Sequence, residues 1–322
     1  MDQITVVVPY YNESETIETT LEMLLGQTSP PKHIVLVNSS STDDSFLKID
    51  RWIESRGKGS GINFLNLSEG TGNPGASKNL GVRNSETPLV AFMDCGLKFP
   101  SHWLESHVSL LRANPSVDWV AGIGNFRGTG VIDRCATAQT TGEGTRPHNI
   151  PSSVMRRDAF DHVGSFDSRR AGYDVAWRLR AEKKGLDRVI NTEVVVEYMK
   201  INFSRSIIGV FKKSFVYSSA STGIKGYRAP YQFLSVVVVV SAVAVLRPAI
   251  GLALLGLYAL LRGFLIPTMK GGGLKWFSEK PWMILPMIMV GSILDISRTL
   301  GVIAGIMREL RIQMQSVWAR TS

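Results

Sequence analysis

Two cysteines in 322 residues, Cys95 and Cys135, are too few for a disulfide framework or a thiolate zinc centre. No run of lysine and arginine interleaved with aromatic residues occurs, which argues against nucleic acid as a partner. No G-x-G-x-x-G follows the first apolar run, so a dinucleotide-binding βαβ unit fits poorly. No cationic segment with a cleavable apolar run precedes Ile4; a signal peptide is therefore not expected, and the polar part of the chain is expected to face the cytoplasm. His102, His107 and His162 lack metal-ligand spacing and read as helix-surface residues. What the chain does have is positive charge, 36 Lys and Arg against 27 Asp and Glu, for a net +9. That balance suits an anionic substrate or an anionic membrane surface.

Apolar residues are concentrated in two patterns. The first is a series of strand-length runs, each ending in a polar motif. Leu89–Met93 is unbroken and apolar, as in a strand buried on both faces of a parallel sheet, and it ends on Asp94. In open α/β sheets the carboxyl ends of strands line the ligand crevice. A carboxylate there can hold a divalent cation against a diphosphate, or merely cap the helix that follows. Ile4–Val8 ends in Pro9-Tyr10-Tyr11-Asn12-Glu13, with Ser14 or Asn12 placed to cap a helix carrying Ile17, Leu21, Leu24 and Leu25. Ile34–Val37 runs into Asn38-Ser39 and then Ser41-Thr42-Asp43. Ile62–Leu67 makes a third strand, and Gly70–Gly75 leads into a helix over 76–84. This β-α-β-α-β-α-β alternation predicts an α/β fold with a mostly parallel sheet flanked by helices, and with its polar motifs on one edge. The Gly- and Thr-rich stretch Gly128–Gly144 reads as a mobile loop, and His148 just beyond it as a residue lining a pocket for a second substrate.

Taken in order, these motifs resemble the family 2 glycosyltransferases of the GT-A fold. The resemblance is carried by Val6–Glu13, Ser41-Thr42-Asp43, Ala76-Ser77-Lys78-Asn79-Leu80-Gly81, Phe92-Met93-Asp94, Val154–Phe160, Val163–Asp167, Tyr173-Asp174-Val175 and Trp177–Arg180. It covers roughly the first 200 residues and implies a nucleotide-sugar donor. It implies that Pro9, Tyr11 and Glu13 cradle the base and ribose, with Ser39 where the family usually places a base-reading aspartate. Lys78 stands where arginine is common and would face the diphosphate, as would Arg178. Asp94 is implied as the metal ligand for Mg²⁺ or Mn²⁺, but the family's second acidic residue, two positions on, is Gly96 here. Asp174 takes the place of the catalytic base, its usual glutamate neighbour being Tyr173. Read without the resemblance, Asp174 is only a helix-starting carboxylate and Arg178 a solvated face.

The second apolar pattern begins after Tyr198. Residues 201–230 form a linker in which Phe203, Ile207, Val210, Phe211 and Phe215 alternate with Arg205, Lys212 and Lys213, suited to an anionic interface or to packing on a domain surface. Residues 231–322 form a membrane region of two to three hydrophobic helices. Phe233–Leu246 and Ala249–Pro267 meet at Arg247-Pro248, either as two helices or as one kinked span. Lys270, Lys275 and Lys280 make a basic connection, and Trp282–Ile306 is a third candidate whose Asp295 and Arg298 need partners or a protein-facing side.

The expectation is a membrane-anchored inverting glycosyltransferase of the plasma membrane with its catalytic domain in the cytoplasm. It would move a sugar to a lipid-linked or polysaccharide acceptor in cell-surface glycan synthesis. Gly96 and Asn38-Ser39 in place of acidic residues favour the alternative, a catalytically impaired sugar-nucleotide-binding scaffold of the same fold. A nucleotidyltransferase would need a glycine-rich, arginine-containing loop after the first strand, which Pro9–Glu13 is not.

Overall fold

The computed structural model describes residues 3–200, 203–272, 277–278 and 280–321. Lys275 of the basic connection lies outside them. The chain divides into two compact units, residues 1–125 with 145–200 and residues 126–144 with 201–322.

The first unit is built on an eight-stranded sheet. In chain order its elements are β1 (Ile4–Tyr10), α1 (Ile17–Leu25), β2 (His33–Asn38), α2 (Ser45–Trp52), β3 (Asn63–Ser68), α3 (Pro74–Arg83), β4 (Leu89–Met93), β5 (Leu97–Lys98), α4 (Trp103–Ala113) and β6 (Trp119–Phe126). After α5 (Gly130–Gln139), which belongs to the second unit, come β7 (Gly144–Arg156), α6 (Arg157–Val163), α7 (Tyr173–Lys183) and β8 (Arg188–Tyr198). The strand order is β3-β2-β1-β4-β7-β6-β8-β5. The β1 strand lies parallel to β2 and β4, and β2 parallel to β3, as four strands joined by helical crossovers must. Beyond β4 the sheet turns mixed: β7 pairs antiparallel with β4, and β5 antiparallel with β8.

The apolar runs are buried as their composition requires. Val6, Val7, Val8, Val90, Ala91, Phe92 and Met93 are all wholly inaccessible. One face packs α1, α2 and α4 through Ile17, Leu21, Leu24, Ile49 and Trp103; the other packs Phe160, Phe166, Tyr173 and Trp177 against Val7 and Phe92. Phe166 meets Phe92 and Tyr173 edge to face, with centroids 5.4 and 5.7 Å apart. His107, expected on a helix surface, faces inward; Asn191 Nδ2 lies 3.3 Å from its Nδ1.

In the second unit, Gly128–Gly144 is not an open loop but contains α5. Its Cys135, Ala136 and Ala138 are buried with Met283, Met287, Val290 and Leu294. Among the described residues, the unit's further α-helices include α8 (Ile207–Ser221), α9 (Ala229–Leu246), α10 (Pro248–Leu260) and α11 (Ile284–Thr321). The α8 helix packs on α11, where Gly301 and Gly305 approach Phe215 and Thr222 so closely that a Cβ at either glycine would overlap them. The chain breaks at Arg247, so Phe233–Leu246 and Ala249–Pro267 are separate helices rather than one kinked span. Among the described residues three stretches, Ala229–Leu246, Pro248–Lys270 and Pro281–Gln315, are long and apolar enough to cross a membrane. The partner that Asp295 needs is Arg262, which grips it through two nitrogens while Tyr258 donates its hydroxyl at 3.0 Å. Arg298 lies 3.7 Å from the same carboxylate.

Candidate functional site

The carboxyl ends of β1, β2 and β4 lie side by side, because the three strands are parallel neighbours. The loop after β1 is latched to the loop after β2. Asn12, in the left-handed region at φ 54°, accepts the Thr42 amide at 2.8 Å and donates its own amide to Ser41 Oγ at 3.0 Å. The Glu13 amide bonds Ser45 Oγ at 2.9 Å, and the Ser14 amide bonds Asp43 at 3.1 Å. Burial pushes the Asp43 carboxyl up, but the Ser45 hydroxyl and the Ser14 and Ser45 amides outweigh it and hold the group below its ordinary range. Asn12 and Ser14 therefore bridge loops, and α1 starts instead at Thr16 without a side-chain cap.

Behind Asp94 sits Lys78. It is wholly buried, and its ammonium lies 2.5 Å from Asp94 Oδ1 and 3.1 Å from the Tyr173 hydroxyl. Its position follows from α3 being seated directly on β1, where Gly81 faces Val7 with no room for a Cβ. Tyr173 opens α7 and brings Asp174 with it. Burial raises the Asp174 carboxyl above its ordinary value; the amides of Val175 and Asp174 and the Lys78 ammonium oppose this, and Asp94 adds to it. His148 feels the same two charges, but burial dominates and pushes it down to about 4, so the ring is neutral. Its Nε2 is 3.2 Å from the Tyr198 hydroxyl.

The fold thus gathers Lys78, Asp94, Tyr173, Asp174 and His148 at one place. Tyr11 is nearly half exposed at the end of β1, with the Arg170 guanidinium 6.0 Å over its ring. Pro9 is buried in register with Val37. Other expected site residues are placed differently. Lys78 turns inward to Asp94 and has no exposed surface. Ser39 is buried against Ser77, with their hydroxyl oxygens 2.7 Å apart. Arg178 pairs with Glu182 at 2.6 Å, and Arg180 with Asp167. A residue that the motifs did not mark, Lys200, lies 3.3 Å from Glu13 Oε2.

These residues do not fit a divalent cation held by the protein. One oxygen of Asp94 already carries an ammonium, and Gly96 offers no ligand. Glu13, the acid nearest Gly96, is engaged by the Thr16 hydroxyl and Lys200. Among the described residues no three His, Cys, Asp or Glu side chains form a ligand set.

Residues 5–172 match the sequence model of Glycosyl transferase family 2. The chain belongs to that family. Among relatives, this glycosyltransferase is 27% identical over 210 residues to the teichoic acid poly(glycerol phosphate) polymerase of Staphylococcus epidermidis, covering 62% of this chain and 26% of the relative. It is 28% identical over 202 residues to glycosyltransferase AglE of Haloferax volcanii, covering 60% of this chain and 65% of the relative. The chain therefore spans less than two thirds of either relative. The mannosyltransferase PcManGT of Pyrobaculum calidifontis, solved with GDP-Man and Mn²⁺, shares the fold at TM-score 0.56 and 18% identity, over 91% of this chain and 87% of that one. The expected fold, a GT-A type sheet flanked by helices and followed by apolar C-terminal helices, is the one observed.

Proposed function

We propose that the chain is an inverting, membrane-anchored glycosyltransferase that moves a sugar from a nucleoside-diphosphate donor to a lipid-linked or glycan acceptor. Its family membership supports the reaction class, and the polar cluster supports the division of labour within it. The observation that carries the reading is the pair of carboxylates gathered at this site in different surroundings. Asp94 is held by a buried ammonium, whereas Asp174 has no such partner and is raised by burial.

In this reading Tyr11, Pro9 and Glu13 border the nucleoside, and Asp94 is a fixed anionic wall of the donor site. Asp174 takes the proton from the acceptor hydroxyl as that oxygen forms its bond to the anomeric carbon. The bond from that carbon to the diphosphate oxygen breaks on the opposite face, which inverts the configuration. A carboxyl raised above its ordinary value is a stronger base than a free carboxylate. The three long apolar helices support membrane anchoring, and the net charge of +9 supports an anionic leaflet facing the catalytic part, which we place in the cytoplasm at the plasma membrane.

The test is a donor screen on the purified chain, reading thermal stabilisation across UDP-, GDP- and dTDP-sugars. A ligand that binds only the folded state raises apparent stability by mass action. One selective donor is expected, and transfer of its sugar to a membrane extract should follow. Selective binding with no transfer to any acceptor would instead favour the scaffold reading, which Gly96 and Ser39 motivate.

A further inference from the structure

We propose that Lys200 supplies the positive charge for the donor diphosphate, so that donor binding needs no divalent cation. The inference rests on the donor reading above and names what replaces the expected metal.

Three features at Gly96 converge. Its φ of +79° is one that L side chains rarely adopt, and a Cβ there would lie 3.2 Å from Glu13 Oε2. An acidic side chain here would need this strained backbone and a shift of the Glu13 carboxylate by a few tenths of an ångström. That carboxylate holds Lys200 Nζ at 3.3 Å, and Glu15 lies 3.7 Å from the same nitrogen. The backbone fixes this meeting: β5 pairs with β8 through Leu97 and Tyr198, and the Met199 amide bonds the Gly96 carbonyl at 2.9 Å. Lys200 is thus delivered beside the loop that follows Asp94.

The placement puts one cation, the Lys200 ammonium, beside the loop that would carry a second metal ligand. A carboxylate at position 96 would reach one side-chain length from its Cβ, and a metal ion would stand about 2 Å further on. The Lys200 ammonium lies within two contact lengths of the missing Cβ, bridged by Glu13 Oε2. Of the two lysines near Asp94 and Glu13, only Lys200 can reach a ligand: its side chain is 39% exposed, that of Lys78 0%. An ammonium has three donors in any direction, so a hydrogen bond to Glu13 leaves others for phosphate oxygens.

The experiment is calorimetric titration of the full chain in detergent with UDP, GDP and dTDP, in chelator and again with Mn²⁺ or Mg²⁺. The best nucleotide should bind within about threefold of the same affinity in both conditions. In chelator, Lys200→Met should weaken binding about tenfold or more, the scale of one charge-assisted hydrogen bond. Lys200→Arg should recover most of that loss, and Lys98→Met, on the neighbouring strand, should change nothing. Far-ultraviolet circular dichroism would confirm that each variant is folded. A nucleotide that binds only with metal, or equal affinity for wild type and Lys200→Met, overturns the proposal while leaving the donor reading intact. Binding of none of the three nucleotides in any condition overturns both.

Discussion

Asp94→Asn and Lys78→Met remove opposite halves of one ion pair, and the structure predicts unequal costs. Lys78 has no exposed surface, whereas the Asp94 side chain is about one-third exposed. Asp94→Asn leaves a buried ammonium hydrogen-bonded to the Tyr173 hydroxyl and an amide oxygen, with Asp174 the remaining carboxylate that feels its charge. Breaking a buried pair this way costs about 3–5 kcal/mol. Lys78→Met leaves the carboxylate, which water can reach, so its cost is closer to about 1–3 kcal/mol. The double variant replaces the pair with neutral groups of similar size and should cost less than Asp94→Asn alone. In a domain of 150–250 residues each kcal/mol moves the midpoint by about 2–4 °C, so Asp94→Asn should lower it by on the order of 10 °C. Differential scanning fluorimetry of the four proteins at one pH and salt concentration reads this directly. If Asp94→Asn costs no more than Lys78→Met, or if the two costs simply add, Asp94 is not what stabilises the buried ammonium.

Three other outcomes follow from the packing. His107 and His148 are both pushed down to about 4, first by burial, so each favours the folded state fully above its ordinary value of 6.5 and loses that contribution as pH falls from 6.5 toward 4. The slope is at most about 1.4 kcal/mol per pH unit per histidine; a melting midpoint that stays flat across this window contradicts the burial of both rings. Gly81→Ala places a methyl against Val7 and should cost about 1–3 kcal/mol, weakening nucleotide binding as α3 and Lys78 shift; an unchanged melting curve would refute the close seating. A chain ended after Tyr227 deprives α5 of Met287, Val290 and Leu294, so it should bind a hydrophobic dye and aggregate; a monodisperse product of native stability would contradict that packing.

Much of the sheet was legible because a strand buried on both faces needs an unbroken apolar run, and residues 4–8, 34–37 and 89–93 supply one each. Their polar ends marked the crevice for the same reason. What pattern could not convey was direction. Lys78 looks like any helix lysine until α3 is seated on β1, and only then does its ammonium turn to Asp94. Asn12 and Ser14 have the right chemistry for helix caps, yet the neighbouring β2 loop offers them better partners. The affinity of α5 for α11 was hidden because Cys135, Ala136 and Ala138 are too small to make a conspicuous stripe. Arg262 and Lys200 find Asp295 and Glu13 across long stretches of chain, and no local spacing announces such pairs.

The role of Asp174 bears most directly on whether this chain is an enzyme. Asp174→Asn keeps the size of the side chain and its ability to accept the helix-start amides, but it cannot take a proton near neutrality. With a donor in hand, single-turnover transfer should fall by about two to four orders of magnitude, the usual contribution of a general base, while donor affinity measured on the same preparation stays unchanged. Near-normal transfer by the Asn variant would contradict the assignment and move the search to Asp167 and Asp158.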